Sequence, residues 1–207
     1  MRSPMDLINP LMFSLLVALM FPIGLGSSPQ TLSQLAPGLI WVIVLLASML
    51  SADKLFKQDF IDGSLSLYML SPQSSYLLVS VKVLVHWFGN GLSLLLLSPL
   101  LAILLHLPLH ILPGLVVSLL VGSLSLVYVA AIGSALTVGL RQSGVLITVI
   151  ILPLYVPILI LGVATVQSAA LALPYLPYLA LMAALAIFVM LLAPLAITAG
   201  LRINLDA

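Results

Sequence analysis

Eleven charged residues in a chain of 207 leave three stretches with none, residues 7–52, 83–140 and 142–201. One helical crossing of a bilayer takes about 20 predominantly apolar residues, so each stretch holds two crossings and a short loop. If each stretch goes out and returns, every charge falls on one side. The six basic residues, Arg2, Lys54, Lys57, Lys82, Arg141 and Arg202, then share a face that the positive-inside tendency makes cytoplasmic. The expectation is an all-α polytopic membrane protein with six transmembrane helices and both termini cytoplasmic. It forms a single domain over residues 1–207, with one short amphipathic cytoplasmic helix between helices 2 and 3. The spans fall at about 10–26, 37–51, 75–105, 112–140, 145–166 and 178–201, with a cytoplasmic segment over 53–75.

Composition rules out the soluble alternative. With 63% hydrophobic and 5% charged residues, a soluble domain of this size would lack polar groups to cover its surface. No basic run or aromatic-interleaved patch points to nucleic acid. Cysteine is absent, which removes disulfides, thiolate metal sites and thiol redox chemistry. The first apolar run, Leu11 to Phe21, has the look of a signal peptide, but no small-residue cleavage pattern follows it. It reads as a retained first helix.

Catalytic signatures are missing. There is no Gly-Lys pair, hence no P-loop to hold nucleotide phosphates. No His-Glu-x-x-His, Gly-x-Ser-x-Gly or Cys-x-x-Cys-His occurs either. The acidic residues all lie toward the cytoplasmic face, so a carboxylate relay within the membrane has no members. An enzyme is not expected; a pore, a scaffold or a transporter subunit energised from elsewhere is.

Five features could carry function. The inner segment holds Leu55, Phe56, Lys57, Asp59, Phe60, Asp62 and Gly63. Asp53 and Lys57 have the favourable acid-first i,i+4 order, Leu55, Phe56 and Phe60 share another face, and Gly63 suits a helix C-cap. A helix lying on lipid would carry a basic polar face, whereas Asp59 and Asp62 fit a contact with a partner protein. Span three carries a polar stripe, Lys82, His86, Asn90 and Ser93, on one helical face. It is either a lining for a passage or partner helix, or a set of interhelical hydrogen bonds. Small residues at four-residue spacing in span four (Ser118 and Gly122, Ala130 and Ser134, Gly133 and Thr137) fit close helix packing or a groove. Pro153 and Pro157 in span five bend a helix, around a cavity or simply against a neighbour. His106 and His110, at the second outer turn, are a metal pair or two interfacial loop histidines; Pro108 between them disfavours a regular helix.

The run from Leu55 to Leu65 resembles the inner loop of the CcmB family, the B subunit of the cytochrome c maturation exporter. Ala36 to Trp41, Lys82-Val83 with His86-Trp87, Leu97 to Leu100, Ala135 to Leu140 and Gly144 to Leu146 follow the same pattern, over about Asn9 to Asn204. More distantly, Asp62 to Leu65 with Leu70-Ser71-Pro72 resembles the inner-loop signature of type-2 ABC exporter permeases. Two positions depart from the family: a longer amphipathic helix usually precedes span one where Met1 to Ile8 stand here, and a Glu usually stands at Ser66.

The resemblance implies a permease that dimerises and binds two copies of a separate ABC ATPase subunit, which holds the ATP, through the 55–63 segment. It also implies haem-handling membrane subunits and a haem chaperone as partners, in a bacterial inner membrane rather than a mitochondrial one. Haem would be the transported or chaperoned ligand, with no cofactor bound directly and His86 the one candidate ligand in the membrane. Release of the loaded chaperone suits the thin polar stripe better than passage of a haem with two propionates. The alternatives are an exporter of lipid or drug, which the same inner loop would serve, and a membrane scaffold without energised motion.

Overall fold

The computed structural model describes residues 4–26, 28–52, 54–66, 74–139 and 143–206. Asp53, residues 67–73 and residues 140–142 lie outside the described residues, and with them the Asp53–Lys57 pairing, Leu70-Ser71-Pro72 and Arg141. Every element described is helical: α1 (Pro4–Leu25), α2 (Pro29–Ala52), α3 (Lys57–Ile61), α4 (Ser75–His86), α5 (Leu92–Leu104), α6 (Leu112–Thr137), α7 (Ser143–Ala170) and α8 (Leu176–Asp206). One π turn, Trp87–Gly91, joins α4 to α5 into a single span, and a 3₁₀ turn, Leu109–Ile111, leads into α6. Among the described residues, six helices are long and apolar enough to cross a membrane.

Helix ends follow local chemistry. α2 begins at Pro29, earlier than the expected start near Pro37, because Ser28 Oγ accepts the Thr31 N–H at 3.4 Å and Pro29 supplies the fixed φ of a first helical residue. Pro37 then lies inside the helix, as do Pro99, Pro153, Pro157 and Pro194 in theirs. α5 and α7 close with matching Schellman turns. Leu107 N–H donates to Ala102 O at 2.8 Å with His106 at φ 55, and Leu173 N–H donates to Ser168 O at 2.9 Å with Ala172 at φ 53. α7 therefore runs four residues beyond its expected end, and its outer turn is shorter than the expected 167–177.

α6 is the central helix, packed against α2, α5, α7 and α8, while α1 is peripheral and leans on α2 and α5. Its small residues are where neighbours come closest. Ser118, Gly122, Ala130, Gly133, Ser134 and Thr137 are all buried, so the four-residue pattern serves packing and opens no groove. The fully buried Trp41 of α2 lies between Gly122 of α6 and Gly162 of α7, where a Cβ on either glycine would overlap its indole. Further along, a Cβ at Gly114 would stand 2.9 Å from the Ala169 methyl. Lipid gives helices no hydrophobic reason to associate, so close backbone approach of this kind holds such a bundle.

Tyrosine hydroxyls and one indole N–H add cross-links. Tyr155, between the two prolines of α7, donates to Leu126 O at 3.0 Å, and Trp87 Nε1 donates to Ser123 Oγ at 2.9 Å. Tyr128 donates to Ser80 O at 3.4 Å and Tyr76 to Leu191 O at 3.2 Å. Prolines in α7 thus frame a packing tyrosine rather than an open chamber.

Candidate functional site: the charged end of the bundle

Residues 54–66 meet α4, α6 and α8 at one end of the bundle. Lys54 to Phe56 form a turn, α3 follows as little more than one helical turn, and Gly63 at φ 71 stands just beyond the C-cap Asp62. The left-handed conformation there is the one glycine adopts without Cβ strain, as its C-cap role requires. Ser64 and Ser66 turn back onto the segment, donating to Asp59 O at 3.3 Å and Gly63 O at 2.6 Å.

The apolar face of this segment points inward. Leu55 and Phe56, expected on a face turned to a partner, are 4% and 1% exposed and pack in a cluster with Leu65, Val79, Val83, Val127, Tyr128, Ala135 and Leu201. The amphipathic pattern was real, but the membrane helices of the same chain cover its apolar side, since leaving Phe56 in water would forfeit about 2 kcal/mol of burial. Phe60 and Lys57 are half-buried, Asp59 likewise, and Asp62 and Gly63 are exposed. The outward face consists of Lys54, Gln58, Ile61 and Asp62, with Ile61 72% exposed.

Two polar links lie here: one fastens the segment, and the other ties together the ends of α6 and α8. Lys82, in the second turn and a half of α4, forms an ion pair with Asp59, and its Nζ lies 5.1 Å from the Phe56 ring centroid. The pair is about a quarter exposed on each side. Lys82 thus reaches a fixed anion and an aromatic face, a cation–π geometry. The second link runs through Asn204 of α8. Its Nδ2 donates to Gly200 O at 2.9 Å and Ala135 O at 3.2 Å, and its Oδ1 accepts the Gly139 N–H at 3.3 Å. Asn204 therefore answers carbonyls left open at the end of α6, and Phe60 lies beside Gly139. Asn204 was missed in the sequence; a lone polar residue near a charged terminus gives no pattern to notice.

The polar stripe divides. His86 is 4% exposed and Asn90 5%. Ser51 Oγ of α2 lies 2.9 Å from His86 Nε2, and Asn90 Nδ2 lies 3.3 Å from His86 Nδ1. The same Nδ2 lies 3.4 Å from Nε2, so Ser51 and Asn90 both flank the buried ring. Ser51 is the partner that sequence reading lacked. Ligating an iron through Nε2 would cost His86 its bond to Ser51. Ser93 stands apart, donating to Gly89 O one turn back in its own helix at 2.5 Å. The π turn that separates these residues is shaped by Gly91, where a Cβ would overlap the Trp87 indole; π turns of this kind recur at functional sites.

His106 and His110 are exposed at the opposite end, one in the left-handed C′ position of α5 and the other in the 3₁₀ turn. Among the described residues no group of three or more His, Asp or Glu side chains is placed to hold a metal.

Six helices long and apolar enough to cross a membrane, with a charged segment fastened at one end of the bundle, define a polytopic membrane protein. The profile of the CcmB protein family matches residues 1–204, and the chain belongs to that family. It is 46% identical over 203 residues to Heme exporter protein B of Pseudomonas aeruginosa, covering 98% of this chain and 91% of the relative. Similarity to Heme exporter protein B of Haemophilus influenzae is 45% over 206 residues (100% and 93%) and to that of Escherichia coli K12 42% over 205 (99% and 93%).

Proposed function

We propose that this chain is the permease subunit of an ABC-type complex in the bacterial inner membrane that serves cytochrome c maturation. Two copies would dimerise and engage a separate ATPase subunit, with haem-handling membrane subunits and a haem chaperone as further partners. Family membership and the names of the relatives support the pathway. The observation that carries the mechanism is the fastening of residues 54–66 to the membrane helices through Asp59–Lys82 and Phe56, with Phe60 beside Gly139.

On this reading the ATPase presses on the outward residues Gln58, Ile61 and Asp62, and the buried residues pass the displacement on. A push on α3 moves Asp59 and Phe56 together, and with them Lys82 of α4. The same push reaches the ends of α6 and α8 at the Gly139–Asn204 bond. Packed helices shift between discrete arrangements rather than deforming continuously, so nucleotide closure biases one of two packings. Release of a haem-loaded chaperone at the far side fits this machinery better than passage of haem, because the stripe is thin and its one histidine, His86, is held by Ser51 and Asn90.

The test is covalent haem in c-type cytochromes, read by in-gel peroxidase staining with and without the protein, with b-type haem as control. Loss of c-type haem alone is expected. Intact c-type haem in a cell with no second maturation system would overturn the proposal in favour of an exporter of lipid or drug.

A further inference from the structure

Among the described residues, span three alone is broken by a π turn, Trp87–Gly91. Its halves keep different company. α4 lies on α8, α6 and the inner segment, whereas α5 lies on α1, α2 and α6. The turn itself is pinned: His86, just before it, lies 2.9 Å from Ser51 of α2, and Trp87 donates to Ser123 of α6 at 2.9 Å. Farther from the turn, the hydroxyl ties of α4 lengthen. Tyr128 donates to Ser80 O at 3.4 Å and Tyr76 to Leu191 O at 3.2 Å, both longer than the usual O–H···O range of about 2.5–3.0 Å.

α4 also borders open space. A cleft of ≈ 460 Å³ lies between α4, the inner segment and α8, lined by Leu78, Val79 and Lys82, by Phe56 and Asp59, and by Leu201. Packed interiors leave few voids larger than a water molecule, so a helix beside such a cleft can shift without displacing a packed core. Its outer face, with Leu77, Val81 and Val85, lies outside the bundle. Within the turn, Asn90 keeps a buried Oδ1 without a hydrogen-bond partner, and an unsatisfied buried acceptor marks a strained place in a fold.

We infer that the π turn is a hinge on which α4 swings, carried by Lys82 and the inner segment, while α5 stays with α1, α2 and α6. The hinge gives the coupling proposed above its moving part and rests on that proposal for its driving force. Gly89 is the middle of the turn; Lys82 stands about 10 Å from it along the helix and Leu77 about 18 Å. A pull through Asp59 therefore moves Leu77 nearly twice as far as it moves Lys82.

The chain has no cysteine, so nitroxide pairs can be introduced at lipid-facing positions. Leu77, Val85 and Leu96 are each paired with Ile160 of α7, all four being 59–75% exposed, and distances are read by double electron–electron resonance. The full chain is held in lipid nanodiscs, diluted with unlabelled copies, as native protein and as Asp59→Asn, which removes the ion pair. A swing of about 10° on arms of about 18 and 6 Å should shift or broaden the Leu77 distance by about 3 Å and the Val85 distance by about 1 Å. The Leu96 distance should stay fixed, and Lys82→Met should repeat the pattern. Equal changes at Leu77 and Val85 would mean that α4 slides as a whole, a change at Leu96 that the bundle rearranges, and three unmoved distances that the span is stiff; each overturns the hinge. Coupling is read separately: the graded pattern with c-type haem intact in Asp59→Asn keeps the hinge and removes the coupling, and lost c-type haem with unmoved distances does the reverse.

Discussion

Replacing glycine by alanine should have opposite effects at two positions of this bundle, and the structure sets both signs. At Gly162 the new Cβ overlaps the Cε2 and Cζ2 atoms of Trp41 and lies 2.6 Å from Cδ2. These are atoms of a rigid, fully buried ring system held from the other side by Gly122, so the indole has nowhere to swing. Overpacking of this kind costs about 1–3 kcal/mol, and the rigid contact puts Gly162→Ala at the upper end. The gain in helix propensity, about 1 kcal/mol, offsets part of it and leaves a net loss of about 2 kcal/mol. At Gly38 a Cβ meets nothing within 4 Å, so Gly38→Ala keeps the propensity gain alone. For a chain of this length each kcal/mol shifts the midpoint by about 2–4 °C. Thermal melting of the detergent-purified protein should show Gly162→Ala lower by about 4–8 °C and Gly38→Ala higher by about 2 °C. Trp41→Phe should restore part of the loss when combined with Gly162→Ala. If Gly162→Ala melts with Gly38→Ala, the indole does not lie between these two helices and the packing described for α2, α6 and α7 is wrong.

Ala172→Gly should raise the melting midpoint, because relieving a left-handed alanine recovers about 1 kcal/mol; an unchanged or lower midpoint would contradict the Schellman turn after α7. Asn204→Ala should cost about 1–2 kcal/mol and speed hydrogen exchange at Gly139 N–H, since it removes that amide's acceptor and the donor to α6 carbonyls. Phe56→Ala should lower the amount of folded protein in the membrane, as expected for a core aromatic whose truncation costs about 3–5 kcal/mol. Ile61→Ala should leave the amount unchanged yet reduce copurification of the proposed ATPase subunit, and equal effects of the two variants would remove the inward and outward assignment of the segment.

The hairpin plan was legible because charge is excluded from hydrocarbon so strongly that its absence marks the spans, whatever the helix propensities are. Helix ends were less so. Pro37 read as a start, yet in a membrane helix proline is tolerated internally, and the cap that decides is the weaker signal of Ser28. The π turn had a trace in Phe88-Gly89-Asn90-Gly91, two glycines around an asparagine, but its geometry depends on the Trp87 ring. For the inner segment, periodicity gave two faces and could not say which neighbour covers each. Leu55 and Phe56 went to the chain's own helices, while Ile61, an isolated apolar residue in the pattern, was left outside. His86 announced its need for a partner, and only the fold could supply Ser51.

The account stands or falls on whether the inner segment drives the membrane helices through Asp59 and Lys82. The ion pair is partly exposed, so breaking it should cost less than about 1 kcal/mol of stability, and function can be read apart from folding. In cells whose only copy is Asp59→Asn or Lys82→Met, covalent haem in c-type cytochromes should fall severely at undiminished membrane level, while Asp59→Glu and Lys82→Arg keep it. Full c-type haem in both charge-removing variants would contradict the coupling described here.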